Sequence, residues 1–139
     1  MANKRIMLSY IDYGQRMLQY TRQLSDSLDE VKHAVLKGEY QRLESLNQKI
    51  ISLSHQLAEV DLARFAMAKK LGCQDRQYAN VIQTKLKGRL KEKIAAMDEK
   101  IEASVMVCKE KLARQGSVMI LQHQVMEEAL AKHKLRINV

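Results

Sequence analysis

A chain of 139 residues has room for one helical domain and no second independent core. It holds no proline, no tryptophan, one phenylalanine and five glycines, which excludes a sheet protein with its frequent turns and aromatic, β-branched strands. The formal charge of +8, from 24 Lys and Arg against 16 Asp and Glu, permits nucleic acid or an acidic protein as partner without choosing between them.

Leu, Lys, Glu, Gln, Ala, Arg and Met, which lose little freedom in a helix, fill long stretches, so the fold class is all-α. The first helix is predicted from about Met7 to Lys37, with Tyr10, Tyr13, Met17, Tyr20, Leu24, Leu28, Val31 and Val35 at steps of three and four. Gly38 follows as a helix stop. The second helix, about 39–71, carries the cleanest pattern. Leu43, Leu46, Ile50, Leu53, Leu57, Val60, Arg64, Met67 and Leu71 form a heptad seam in which only Arg64 is not apolar. Gly72 ends it.

Asp75 is the expected N-cap of a third segment, about 75–134, before a frayed tail at 135–139. Its stripe runs through Tyr78, Ile82, Leu86, Leu90, Ile94, Met97, Ile101, Val105, Cys108 and Leu112 and on to Leu130. Some 60 helical residues would reach about 90 Å, twice the length of either earlier helix. This helix therefore breaks, with Gly88 and Gly116 the candidate sites, or projects beyond the bundle. The connections are short, so consecutive helices pack antiparallel, as a three-helix bundle of coiled-coil-like helices whose third helix is longest.

Catalytic and metal constellations are missing. None of His33, His55, His123 and His133 forms an HExxH motif, and Cys73 and Cys108 form no CxxC pair. No glycine loop cradles a phosphate. Asp98, Glu99 and Glu102 read as a solvated helix face. The chain is read as a non-enzyme without metal or cofactor. No apolar run is long enough for stable membrane insertion, and no signal sequence follows the basic Met1–Arg5 start, so a cytoplasmic location is expected.

Two features remain. Lys85, Lys87, Arg89, Lys91 and Lys93 are the densest basic run, read either as a solvated helix or as a patch for an acidic partner or a nucleic-acid backbone. Few aromatic residues lie nearby, which makes single-stranded nucleic acid a poor fit. The second feature is the apolar segment after Gly116. Met119, Met126 and Leu130 continue the bundle stripe, whereas Val118, Leu121, Val125 and Ala129 form another about 120° away. Both stripes need cover, from a second copy, from a client helix, or from the chain's own core after a break at Gly116.

Two stretches resemble the FlgN family of flagellar type III export chaperones. One is Val35-Leu36-Lys37-Gly38-Glu39-Tyr40 leading into Leu43, Leu46, Lys49, Leu53, Leu57 and Arg64. The other is Leu112 to Leu130, where Gln115-Gly116 stands in the place of the family's Asn-Gly pair. The resemblance implies a chaperone that binds the terminal helical segment of a hook-associated protein, prevents premature assembly and delivers it to the export apparatus. The client-binding residues would be Gly116, Val118, Leu121, Val125, Met126 and Ala129. Two other readings are a coiled-coil stalk of a type III export ATPase complex and a basic helical nucleic-acid-associated protein.

Overall fold

Two left-handed glycines set the topology. In the computed structural model, which describes residues 2–116 with side chains from 3 to 114, α1 (Ala2–Lys37) ends at Gly38 with φ +69°. The Gly38 amide donates to the Val35 carbonyl at 3.1 Å and the Glu39 amide to the Ala34 carbonyl at 2.9 Å, a Schellman pair. The same pair closes α2 (Tyr40–Lys70), with the Gly72 amide on Lys69 and the Cys73 amide on Ala68, both at 3.0 Å. Gly72 has φ +96°, and buried Cys73 packs into the same apolar cluster as Ala68, the hydrophobic contact that accompanies such a cap. A side chain with a Cβ at either glycine would be strained.

α1 begins at Ala2 rather than Met7. The first turns are retained because Met7 and Ile11 pack against the apolar cluster around Tyr10.

The single third helix does not form. The chain makes a short α3 (Tyr78–Thr84), then α4 (Gly88–Gly116), breaking at Gly88, whose φ is +68°. α4 has 29 described residues, close to the 31 of α2, and nothing is described beyond Gly116. Asp75 is not the N-cap of a helix. Its carboxylate accepts the Gln77 amide at 3.2 Å, a local turn two residues before Gln77 takes the cap position. The break also lifts Leu90 out of the stripe and leaves it 38% exposed.

The described residues are therefore all-α, with four helices and no strand. α1 and α2 are antiparallel, and α4 runs alongside α1 in the same direction. α1 is the shared partner: the backbones of α2 and α4 both run close along it, whereas α2 and α4 meet each other chiefly through side chains. Successive contacts set the α1–α4 register. A Cβ on Gly14 would lie 2.6 Å from the Met97 methyl, so the missing side chain permits the close approach there. Further along, the Cys108 thiol donates to the Thr21 carbonyl at 3.3 Å, and Lys111 Nζ reaches Ser25 Oγ at 2.7 Å and Asp29 at 2.8 Å. The Lys111–Asp29 pair keeps substantial solvent contact, so Lys111→Ala should change unfolding free energy by less than about 1 kcal/mol in urea titrations.

The core is divided. One apolar cluster, towards the Gly38 turn, joins Leu24, Leu28, Val31, Leu43, Ile50 and Leu53 to Cys108 and Leu112. The other, at the opposite end, joins Tyr10, Ala68, Cys73, Tyr78, Ile82 and Ile94. Arg64 lies between them.

Candidate functional site

Arg64 occupies a heptad core position, and its side chain is 3% exposed. A lone charge there would be costly, so the fold surrounds it with partners. Its Nε donates to the Tyr10 carbonyl of α1 at 3.3 Å, and an Nη donates to Asp98 of α4 at 2.8 Å. The guanidinium also lies over the Tyr10 ring, 4.1 Å from its centroid, and 5.7 Å from that of Tyr78. Burial alone would lower its pKa, but its surroundings, chiefly the Asp98 carboxylate and the hydrogen bond to it at neutral pH, outweigh that cost and the net shift is upward. Arg64 therefore stays charged.

Asp98 uses both carboxylate oxygens. One takes Arg64 and the other accepts the Gln83 amide of α3 at 2.9 Å. The Tyr78 hydroxyl donates to Asp61 of α2 at 2.6 Å. Tyr78 meets Tyr10 edge-on at 6.0 Å and stacks on Phe65 at 5.7 Å. One network thus gathers all four described helices. It borders a cleft of about 550 Å³ lined by Asp61, Arg64, Arg76, Tyr78, Asp98 and Glu102 among others. The central charges satisfy one another, so the arrangement holds helices in register and leaves Glu99 and Glu102 exposed at the rim. Asp98, read from sequence as part of a solvated face, is instead a half-buried ion-pair partner with an 11% exposed side chain.

The phenols give this site a pH signature. Burial raises the pKa of Tyr10, and burial together with the Asp61 hydrogen bond raises that of Tyr78, both from an ordinary value of 10.0. The folded state then binds these two protons more tightly than the unfolded chain. Their stabilising effect is present below pH 10 and is lost as pH climbs towards the raised folded values. Urea midpoints should hold steady through neutral pH on this account and fall above about pH 10, with two phenols ionising only on unfolding in ultraviolet titration.

The predicted site residues divide. Lys85 follows α3, Lys87 immediately precedes α4, and Arg89, Lys91 and Lys93 lie in the first turns of α4; all five are exposed. Lys85 Nζ donates to the Leu71 carbonyl at 3.2 Å, joining the α3–α4 connection to the end of α2. Gly116 is the last described residue of α4. Val118, Leu121, Val125, Met126 and Ala129 lie outside the described residues, as do His123 and His133. His33 is exposed, and His55 contacts Glu59 at 2.9 Å on the surface. Among the described residues no three His, Cys, Asp or Glu side chains gather as a metal-binding group, and both cysteines are buried and unbridged. Sequence reading missed the Arg64–Asp98 network, although the polar residue in the α2 seam was its one visible sign. No described helix is long and apolar enough to cross a membrane. No protein-family model, curated protein or solved structure matches the chain.

Proposed function

We propose that this chain is an export chaperone of the FlgN type, which captures the terminal helical segment of a hook-associated protein and hands it to the export apparatus. One observation carries the reading: α4 is fixed along α1 in a register that ends near the Gly38 turn. Lys111 faces Asp29, and α1 has only eight more residues, about 12 Å, before it stops at Lys37. Gly116, the last described residue of α4, comes near that end of the hairpin, and in sequence Val118 follows it by two residues. Read as a helix, Val118–Leu130 spans about 18 Å and has two faces to cover, more than the remaining α1 offers. Leu36 and Tyr40 at the same turn are 70% and 67% exposed, further apolar surface for an incoming helix.

A client helix laid along Val118, Leu121, Val125 and Ala129 would be ordered only while bound, which keeps release available. The methionines at this surface, Met119 and Met126, suit a partner whose side chains vary. Leu121→Asp and Val125→Asp should each weaken capture of a hook-associated terminal segment at least about tenfold in pull-down titrations. Circular dichroism should stay unchanged. If both variants retain the client at full affinity, the proposed groove is wrong.

A further inference from the structure

The pole opposite the Gly38 turn collects charge from separate parts of the sequence. Arg64 touches the Tyr10 carbonyl and Met97 faces Gly14, which levels the end of α2, the start of α1 and the first turns of α4. Lys85, Lys87, Arg89, Lys91 and Lys93 are thereby joined by Lys4 and Arg5 of α1, Lys69 and Lys70 of α2, and Arg76 of the following loop. All ten are exposed. The acidic residues of these segments are Asp75 and Glu92. The surplus of eight equals the formal charge of the whole chain, and the remaining fourteen basic residues are matched by fourteen acidic ones. Among the described residues this end is the main concentration of unmatched positive charge, although Arg76 also borders the cleft that Asp61, Asp98, Glu99 and Glu102 line.

We propose that this basic pole docks onto the surface of an anionic phospholipid bilayer. Its cations come from three helix ends and two connectors and surround the end of the bundle. In the first turns of α4, Arg89 and Lys93 share one face, Lys91 lies on roughly the opposite side, and Lys87 precedes the helix, so these cations do not line a single stripe. A linear polyanion engages a stripe, whereas a flat anionic surface engages a whole end at once. The same end exposes Leu8 at 58% and Leu90 at 38%, apolar groups that can enter the interfacial region while lysines reach the headgroups. Rings for nucleic-acid bases are not offered. Tyr10 and Tyr78 are buried, and Phe65 is half-buried with Lys69 at 4.6 Å and Arg76 at 5.8 Å over its ring. This docking surface is drawn from described residues alone, so its failure leaves the chaperone reading untouched, and the reverse also holds.

Vesicle co-sedimentation of the full chain tests it. Phosphatidylcholine vesicles with about one third phosphatidylserine should retain the protein, pure phosphatidylcholine should not, and salt above the physiological range should weaken retention several-fold. The triple variant Lys70→Glu, Lys91→Glu, Lys93→Glu should lose at least about tenfold in apparent affinity with unchanged circular dichroism. The same charge change at the exposed Lys32, Lys49 and Lys109 should leave it within about threefold. Equal losses in the two variants, equal retention by neutral and anionic vesicles, or tighter binding to a short DNA duplex or to polyglutamate in the same buffer would overturn the proposal.

Discussion

Truncating Asp98 to alanine is expected to cost at least about 3 kcal/mol of folding stability, a large share of what a domain this size commands. The reason is asymmetry. Removing the carboxylate deletes one attraction, but it also leaves the Arg64 guanidinium, 3% exposed, without its counter-charge in an apolar seam. Gln83 loses its acceptor as well, and α3 is short, so its position on α4 depends on such contacts. Urea unfolding followed by circular dichroism measures the loss. The double variant Arg64→Met, Asp98→Leu should recover most of it, because two apolar groups in place of a buried pair leave no unpaired charge. A single-variant loss below about 1 kcal/mol would mean that water reaches the pair and that the layer does not lock the register.

The second large effect belongs to the apolar cluster near the Gly38 turn. Ile50 is fully buried between Leu24, Leu28 and the neighbouring leucines of α2, so Ile50→Ala should cost about 3 kcal/mol through lost transfer energy and an unfilled cavity. Ile50 packs in the cluster near the Gly38 turn whereas Asp98 binds Arg64 and Gln83, so their costs should add to within about 0.5 kcal/mol. Strong non-additivity in the double variant would show that the two halves of the core unfold as a coupled unit through the Arg64 layer.

The Asp98 and Ile50 predictions differ in how readable they were. Ile50 is legible because a heptad seam is local: its neighbours in sequence announce its burial. Arg64 was half legible, since a cation at a seam position demands a partner, yet no pattern says which. Asp98 lies 34 residues away among Glu99 and Glu102, and by periodicity alone it belongs to a wet face. The cationic pole was similarly half visible. Lys85 to Lys93 stands out as a run, but Lys4, Arg5, Lys69, Lys70 and Arg76 join it only when helix ends are brought together.

What the sequence determined by itself is the helical class and the two hairpin reversals, because both are short-range: low-entropy helix formers propagate the backbone, and Gly38 and Gly72 relieve the left-handed caps. What only the tertiary structure decided is the fate of the third segment. Gly88 and Gly116 are equivalent as helix interruptions in one dimension. Among the described residues a break falls at Gly88, which frees α3 to place Tyr78 and Ile82 in the cluster of Tyr10 and Ala68, and sets α4 back along α1 with Asp98 against Arg64. That choice is made by packing and by the need to pair a buried charge, neither of which is encoded within any single stretch of the chain.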